Sequence, residues 1–547
     1  MKKNQTNINK TSFDKEKYSN YKKLMDEYSH IIKKIHTAGG VASIEKQHNK
    51  GRLTARERID YLIDDGTSFF ELGKFAAHDM YKEYGEIHCS GLIAGVGKIH
   101  SNDFIIIAND ATVKAGAYFE TSLRKTIRLQ EISMQNNIPI IYLVDSAGVF
   151  LPLQDQVFPD EAHFGKIFYN NALISSKGIH QIACVMGPCV AGGAYLPVMC
   201  DKYIITEGAN MFLAAPALVK AAIGQNIDSE TLGGATTHSA ISGTADFHEK
   251  NDYESLKRIR TIVEHVNFNK SKLFNRQNFE MELKDSIEDI FKAVDFVNKE
   301  QYDMKEIIIR IVDDGDFQEY KKSYGKTIIC GQCKIGGFNV GIVANQKCIV
   351  KDSQGKIQLG GVVYNDSADK AARFIMNCNQ DKVPILFIHD VNGFMVGKDS
   401  EWSGIAKDGA KMVNAVSNST VPKITLIVGG SYGAGNYAMC GKAYNPNFIY
   451  AWPNAKIAVM GGEQAANTLA SIKISKISNI DESKKNQIKE DIKVNYEKQS
   501  DIKYGAARMW IDEIIDPIDT RYVIIRSLEL INNAEKIKKP NFGVFQV

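Results

Sequence analysis

The sequence predicts an α/β protein made of two copies of one structural unit. Three observations predict this class: short apolar runs alternate with helical stretches, each run ends in an aspartate or glycine turn, and the pattern recurs about 240 residues further along the chain. Strands that alternate with helices are typical of α/β folds. With 547 residues, the chain is also too long for one ordinary domain.

The repeat is visible in two pairs of segments. Ile138–Gly148 reads IPIIYLVDSAG and Val383–Gly393 reads VPILFIHDVNG, with the proline, aspartate and last glycine each 245 positions apart. Ile179–Tyr195 and Val421–Tyr437 match in the same way with an offset of 242. A period of this length indicates two domains and not a solenoid.

Each copy runs from a strand to a helix and then to a second strand. Ile140–Val144 and Ile385–Ile388 have the length and composition of buried strands. The stretches Phe164–Ser176 and Gly404–Val416 are predicted to follow as helices. Ile179–Cys200 has no charged residue, but its glycines and prolines favour a strand, a turn and a helix over a membrane span.

The segment between the copies, about 251–324, is charged and has helical periodicity at Phe291, Val294, Phe296 and Val297. We therefore place the domain boundary near residue 280, which gives domains 1–280 and 281–547. Charged stretches are usually solvated, so the later stretch Lys473–Lys503 is predicted to form a helical excursion on the surface.

Composition excludes several classes of protein. A net charge of +3 offers no concentrated basic face, so no nucleic-acid partner is expected. The segment Met1–Lys34 is polar and has neither the apolar core of a signal peptide nor the acid-poor character of a transit peptide. Nine scattered cysteines suit a reducing cytosol. Cys330 and Cys333 form a CxxC pair without the second pair that a zinc site needs, so no metal is expected.

The most informative candidate site is a small-residue turn that follows a strand in both copies, at Val190–Ala194 and Tyr432–Asn436. The first N–H groups of a helix have no partner within it and lie at its positive end. Two such donors can form an oxyanion hole, which stabilises negative charge on a carbonyl oxygen. The alternative is that the small residues only allow close packing of strand and helix.

Two oxyanion holes suit a carboxyl transfer between a thioester, which becomes an enolate, and a urea, which becomes an anion. The residues that a serine hydrolase, an ATP-binding protein or a dinucleotide-binding protein needs are missing from the sequence. The GxSxG pattern at Gly429–Gly433 has no histidine after Ser431, as a hydrolase of that type would need. No GxxxxGK[ST] phosphate loop occurs, and no GxGxxG opens a first βα turn. His163 is a catalytic candidate, with a structural role as the alternative.

Several long motifs resemble the carboxyltransferase β subunits of biotin-dependent acyl-CoA carboxylases, over nearly the whole chain. The resemblance is closest to the methylcrotonoyl-CoA carboxylase branch of that family. The motifs are Asn109–Lys114, Tyr142–Gly148, Val157–Asp160, Ala191–Tyr195, Gly393–Gly397, Gly404–Val413, Gly429–Tyr437, Val459–Ala466, Asp516–Pro517 and Thr520–Arg521.

The resemblance implies two tandem crotonase-like (ClpP/crotonase, spiral ββα) domains, with acyl-CoA on the first and biotin on the second. Gly192 and Gly193 would hold the thioester enolate, and Ala434 and Gly435 would hold the ureido oxygen of biotin. Carboxybiotin would release CO2, and its ureido nitrogen would then take the substrate proton, so that no side chain need act as a base. The other residues expected on the acyl-CoA side are Lys114, Ala191 and Ala194. The aromatic residues Phe164, Phe168 and Tyr195 are candidates for setting the depth of the acyl pocket, with core packing as the alternative. The other implied biotin residues are Gly393, Phe394, Val396, Gly397 and Gly433.

The resemblance also implies partners. No Met-Lys-Met biotinylation motif occurs, so a separate α subunit is expected to charge and carry the biotin. The β subunits would form a hexamer, a trimer of dimers, with each active site between the first domain of one subunit and the second domain of its dimer partner. A bacterial cytoplasm is the expected location, with a mitochondrial matrix as the alternative.

The sequence departs from the family pattern at about fourteen extra residues, Gln346–Leu359, near the predicted acyl-CoA side of the second domain. This insertion leaves the substrate open. Besides 3-methylcrotonoyl-CoA, from leucine breakdown, the candidates are geranoyl-, propionyl- and acetyl-CoA, or the role of a glutaconyl-CoA decarboxylase subunit. A hydratase or isomerase of the same superfold and a scaffold with decayed sites are the alternatives of other classes.

Overall fold

The computed structural model describes residues 15–266, 268, 272–279, 290–295, 301–352, 354–475, 481–544 and 546. Within these residues lie two mixed β-sheets of eight strands each, packed with helices. The predicted α/β class is therefore confirmed.

The first unit is built around the first sheet. Its strands are β1 (Phe70–Glu71), β2 (Leu92–Ile99), β3 (Asn102–Asn109), β4 (Ile140–Ser146), β5 (Gln181–Val190), β6 (Lys202–Thr206), β7 (Asn210–Phe212) and β8 (Phe247–Glu249). The helices in this part of the chain are α1 (Lys15–His36), α2 (Val41–His48), α3 (Ala55–Leu62), α4 (Glu120–Asn136), α5 (Phe164–Ser176), α6 (Tyr195–Val198), α7 (Pro216–Ile223), α8 (Ser229–Gly233) and α9 (Asp252–Glu264).

The second unit is built around the second sheet. The strands in this part of the chain are β9 (Phe317–Tyr320), β10 (Ile328–Ile335), β11 (Phe338–Asn345), β12 (Val350–Lys351), β13 (Ile357–Gln358), β14 (Val362–Val363), β15 (Ile385–Val391), β16 (Gly393–Phe394), β17 (Lys423–Tyr432), β18 (Phe448–Ala451), β19 (Lys456–Ala458) and β20 (Glu513–Ile514). Of these, β12 with β13 and β14 with β16 form two separate two-stranded sheets, and the other eight form the second sheet. The helices of this unit are α10 (Ile290–Ala293), α11 (Lys305–Ile308), α12 (Asn365–Asp381), α13 (Lys398–Trp402), α14 (Ile405–Ser417), α15 (Gly433–Ala438), α16 (Gly462–Ile474), α17 (Glu482–Ser500), α18 (Ile502–Ala507) and α19 (Thr520–Ile531).

The two sheets have the same strand order, which confirms the duplication. The first runs β1-β2-β3-β4-β5-β6-β8, and the second runs β9-β10-β11-β15-β17-β18-β20. In each sheet a short extra strand, β7 or β19, pairs with the end of the long strand β5 or β17. The strands from β3 and β11 onward are parallel, and the all-buried β4 and β15 suit parallel strands that are covered on both faces.

The helix before each central strand begins and ends in the same way in both units. The Ser122 hydroxyl accepts a hydrogen bond from the Phe119 N–H at the start of α4, and Ser367 does the same for Tyr364 at α12. Each helix then ends at a left-handed residue, Asn137 or Lys382, which breaks the helix. A proline follows two residues later in both copies and leads into the strand.

The units share a hydrophobic core. One cluster of buried side chains includes Ile107 and Tyr142 from the first sheet and Ile342 and Tyr450 from the second. Polar contacts also cross the junction: Arg128 on α4 pairs with the buried Asp512, with an Nη2–Oδ2 distance of 2.7 Å. The units therefore pack as parts of one structure.

Several sequence predictions can be checked element by element. The helix predicted at 164–176 is present as α5, and the one predicted at 404–416 is α14, shifted by one residue. The surface excursion predicted after residue 473 contains α17, which is largely exposed. Phe291 and Val294 are buried, whereas Phe296, Val297 and the domain boundary at 280 lie outside the described residues.

Residues 179–200 form β5, a turn and α6, as predicted. Among the described helices, none combines the length and the apolar character that crossing a bilayer requires.

Candidate active site

The predicted small-residue turns have the same backbone shape in both units. At the end of β5, Ala191 takes a left-handed φ of 56°, and a 3₁₀ helix, Ala191–Ala194, leads into α6. At the end of β17, Gly433 takes a φ of 51° and opens α15. An alanine rarely adopts this conformation, because its Cβ then crowds the backbone. The sequence repeat therefore marks a real structural match.

The two turns differ in the space around their glycines. A Cβ added to Gly192 or Gly193 would meet nothing within 4 Å, so this turn faces open space. A Cβ on Gly435 would lie 2.5 Å from Cγ2 of Val391, so the second turn is packed from behind, although Ala434 is exposed. Gly435 is thus needed as a glycine for close packing, whereas no neighbouring atom would collide with a side chain at Gly192 or Gly193.

Below the first turn lies a narrow, mostly apolar cavity. Phe164 was predicted here and lines it together with Gly193, and Phe168 packs against Phe164 and Tyr195 at ring-centroid distances of 5.2 and 5.7 Å. The sequence analysis missed the other lining residues, since core and cavity residues have the same composition. They are Tyr118, Val144, Ser146, Gly148, Cys189, Val190 and Leu196.

The remaining residues predicted for the acyl-CoA side differ in their exposure to solvent. Lys114 is exposed on a 3₁₀ turn beside the end of β4, where the Ala147 N–H donates to the Ala115 carbonyl. Ala194 is buried, so only its backbone can contribute to a site.

The residues predicted for biotin form a loop next to the second turn. Gly393 and Gly397 have φ values of 135° and 107°, and Val396 between them is 73% exposed. The Gly393 Cα lies 3.4 Å from the point where a Cβ of Gly435 would lie, so loop and turn are neighbours. Phe394 points inward instead, against the bare Cα of Gly409.

The extra segment near 346–359 leads into a strand that supports that loop. It contains the β12–β13 hairpin, and β14 immediately after it pairs in parallel with β16 through Val362↔Gly393 and Val363↔Phe394. The Asn392 N–H also donates to the Gly361 carbonyl. The structure thus places this segment beside the residues predicted to bind biotin, whereas the sequence had suggested the acyl-CoA side.

An aspartate supports the strand below each turn. Asp145 and Asp390 end β4 and β15, where the register of the neighbouring strand shifts in both sheets. A Cβ on Gly187 or Gly429 would overlap these carboxylates, so the glycines leave room for them. The sequence repeat revealed both aspartates but gave no sign of their function.

The partners of the two aspartates differ, and the sequence analysis missed them because they lie outside the repeated segments. Arg58 binds Asp145 at 2.9 Å and Asp252 at 2.8 Å, and all three side chains are buried. Lys347 and Tyr302 donate to Asp390 at 2.7 and 2.9 Å.

The carboxylate nearest in sequence to the first turn is engaged elsewhere. Asp201 accepts hydrogen bonds from Ser175 Oγ at 2.6 Å and from the Gln181 N–H at 2.7 Å, which ties α5 to β5. Hydratase or isomerase chemistry needs a carboxylate poised over the oxyanion hole, and Asp201 is not free for it. His163 accepts from the Asp160 N–H just before α5, which is a structural contact.

The serine of the GxSxG pattern is not accessible. Ser431 and His389 are both fully buried, and Ser431 Oγ lies 3.0 Å from His389 Nδ1. A nucleophile needs access to a substrate, so this pair does not form a hydrolase site. Cys330 and Cys333 are free thiols on β10, and no group of metal-ligating side chains is found in the described part of the chain.

Comparison with known proteins agrees with this geometry. The profile of the carboxyl transferase domain matches residues 46–545. The chain belongs to the carboxyl transferase family. The mitochondrial methylcrotonoyl-CoA carboxylase β chain of Dictyostelium discoideum is 44% identical over 99% of this chain and 90% of its own length. The biotin-dependent 3-methylcrotonyl-CoA carboxylase β1 subunit of Mycobacterium tuberculosis is 42% identical over 95% and 98% of the two chains.

A solved structure extends the likeness to the fold. The β subunit of Pseudomonas aeruginosa geranyl-CoA carboxylase superposes with a TM-score of 0.86 at 33% identity, covering 99% of both chains. The predicted fold of two crotonase-like units is thereby confirmed. This chain is a carboxyltransferase β subunit of the biotin-dependent acyl-CoA carboxylase type, as its motifs predicted.

Proposed function

We propose that this β subunit transfers a carboxyl group from carboxybiotin to 3-methylcrotonoyl-CoA, a step in leucine breakdown. The main support is the pair of matched turns, each with a left-handed residue followed by backbone amides at the start of a helix. Transfer creates an anion on each reactant in turn, and backbone donors that are already in place stabilise such charge without reorganising. Relatives named for this substrate support its choice.

In this proposal the first unit binds the acyl-CoA. The amides of Gly192 and Gly193 hold the thioester oxygen as it becomes an enolate. The open space in front of these glycines leaves the backbone amides accessible to an acyl group from the surface. Lys114, Ala191, Ala194 and the aromatic group Phe164, Phe168 and Tyr195 complete the proposed acyl-CoA site.

The second unit would bind biotin at Ala434 and Gly435. Two observations support this choice: the turn is closed from behind by Val391, and the apolar side chains of Val396 and Val459 are exposed. Gly393, Phe394, Gly397 and Gly433 shape the loop and turn. When bound, carboxybiotin supplies the carboxyl group and afterwards the base. The residues of the chain orient it and exclude water.

The proposal includes two kinds of partner. An α subunit would carry the biotin, and a second β subunit would cover each turn. Exposed apolar helices support the second partner: the described side chains of α7 are all at least partly exposed, with Leu218 and Ile223 more than half exposed, and α16 presents Leu469 and Ile472. We propose a hexamer built from such dimers. The location of the protein, a bacterial cytoplasm or alternatively the mitochondrial matrix, stays a prediction.

The substrate is tested by combining the β subunit with its α subunit and assaying methylcrotonoyl-, geranoyl-, propionyl- and acetyl-CoA. We expect the highest kcat/KM with 3-methylcrotonoyl-CoA. If another acyl-CoA is carboxylated and 3-methylcrotonoyl-CoA is not, the substrate assignment is wrong, whereas the transfer chemistry is unaffected.

The turns are tested separately. Gly193→Val fills the open space in front of the first pair of amides, and Ala434→Val adds bulk at the exposed second turn. Each is expected to lower transfer by at least about 100-fold, the effect of losing an oxyanion donor. Gly435→Val is a poorer probe because it also collides with Val391. Ala443→Val, at an exposed alanine beyond α15, is the matched control and should keep full activity. Full transfer by either test variant would disprove its role.

A further inference from the structure

A buried polar chain connects β15, β17 and α15 behind the second turn. His389 and Ser431 are fully buried on the two strands, and Asn436 lies on α15 directly after Gly435. The Asn436 Nδ2 donates to Ser431 Oγ at 2.8 Å, and Ser431 Oγ lies 3.0 Å from His389 Nδ1. His389 Nε2 bonds the Met439 carbonyl just after the end of the same helix. This polar chain therefore contacts α15 at Asn436 and again at Met439, just after the last residue of the helix.

The direction of each hydrogen bond follows from the histidine. Burial lowers the pKa of His389 to about 4, so the ring is neutral near pH 7 and carries one N–H. Because the Met439 carbonyl can only accept, that proton must be on Nε2. Nδ1 is then an acceptor, and the Ser431 hydroxyl donates to it while its oxygen accepts from Asn436. Each polar atom in this path is satisfied in one arrangement only.

The packing around Asn436 adds a second constraint. A Cβ on Gly441 would lie 1.9 Å from Asn436 Oδ1, so only glycine at 441 leaves room for the amide in this position. The Gly441 N–H also donates to the backbone carbonyl of Asn436. The side chain and the backbone of this residue are therefore both held from outside the helix.

The first unit lacks this polar chain of hydrogen-bonded side chains. At the positions that match His389, Ser431 and Asn436 it has Val144, Cys189 and Ala194. Val144 and Cys189 line the cavity below the first turn instead. The same location is thus an apolar cavity in one unit and a filled polar chain in the other.

We propose that His389, Ser431 and Asn436 are positioning residues, which hold the amides of Ala434 and Gly435 in place and affect the biotin part of the transfer but not the acyl-CoA part. This inference rests on the proposed function, in which the second turn binds biotin. The three side chains hold α15 in its middle, at Asn436, and just past its last residue, at Met439. An oxyanion hole depends on donors that are fixed before the charge develops.

The test uses Asn436→Ala, which removes one donor from a half-buried position and leaves the Ser431–His389 bond intact. With the carboxylated acyl-CoA and free biotin as acceptor, we expect kcat/KM for biotin to fall about tenfold. The KM for acyl-CoA should stay within about twofold of the parent value, because the polar chain lies in the second unit and makes no contact with the first turn. Asn418→Ala, which removes another side-chain hydrogen bond in the same unit, is the matched control and should change neither constant.

Hydrogen exchange of the intact protein provides a readout that does not depend on activity. Exchange in Asn436→Ala is expected to accelerate across residues 433–440 and to stay unchanged across 191–198, the matching segment of the first unit. Ser431→Cys, which copies the residue of the first unit, should have the same effect if Asn436→Ala proves unstable.

Two results would overturn the inference, and they differ in what they say about the proposed function. If biotin kinetics and exchange are both unchanged, the chain has no positioning role and the proposed function stands. If the acyl-CoA constant changes instead of the biotin constant, the second turn binds acyl-CoA, and the assignment of the two turns fails with the inference.

Discussion

Single glycines decide what can lie behind each turn. Gly187 and Gly429 occupy matching positions on β5 and β17, and in both a Cβ would overlap the carboxylate of the aspartate on the next strand. These glycines are needed for space and not for an unusual backbone angle, because neither has a positive φ. Ala191 shows the opposite case: it takes a left-handed φ of 56° although its own Cβ crowds the backbone there.

Gly187→Ala is expected to lower the free energy of unfolding by about 1–3 kcal/mol, because the new Cβ would lie 1.9 Å from Asp145 Oδ1. Urea denaturation measures the change. Gly165→Ala on α5 is the control, since its Cβ would meet nothing within 4 Å and alanine favours helix. Equal stability of the two variants would show that the carboxylate simply moves aside.

At the scale of elements, β5 and β17 do most to form the site. Each is an inner strand of its sheet, shifts register beside the aspartate, pairs with a short extra strand and is followed directly by the left-handed residue of the turn. In the first unit, Arg58 on α3 donates hydrogen bonds to Asp145 on β4 and to Asp252 on α9, and so joins these three elements. A buried cation between two carboxylates holds three elements in one relative position.

Arg58→Met should therefore destabilise the protein by about 3–5 kcal/mol, because it leaves Asp145 and Asp252 buried without their cation. Thermal unfolding followed by circular dichroism tests this. Arg124→Ala removes an exposed pair with Glu120 on α4 and should cost less than about 1 kcal/mol. A similar small loss for Arg58→Met would mean that the network contributes little to stability.

At the scale of the whole molecule, polar groups buried between the units accompany the shared apolar core. The Lys74 N–H in the first unit donates to Glu513 on β20 at 3.0 Å. The Lys74 ammonium is 3.8 Å away, too far for a hydrogen bond. Burial therefore outweighs the cation and raises the pKa of Glu513 from 4.5 to about 7.

This shift predicts a pH dependence of stability. Because the folded state holds the Glu513 proton more tightly than the unfolded state does, its contribution is complete below pH 4.5 and is lost as the pH rises to about 7. Glu513→Gln should be more stable than the parent protein at pH 8, by up to about 3 kcal/mol, with little difference at pH 4.5. Calorimetry at the two pH values measures this. The same difference at both would show that Glu513 does not titrate in this range.

The sequence by itself determined the α/β class, the duplication, the two turns and the family, because each depends on local patterns that recur along the chain. Ile140–Val144, Ala191–Tyr195 and Gly429–Tyr437 carry those patterns directly. Only the tertiary structure decided what lies behind the turns. The partners of Asp145 and Asp390, the cavity under Gly193 and the His389–Ser431–Asn436 chain join residues far apart in sequence. Such contacts arise from packing between elements, which leaves no periodic signal in the chain.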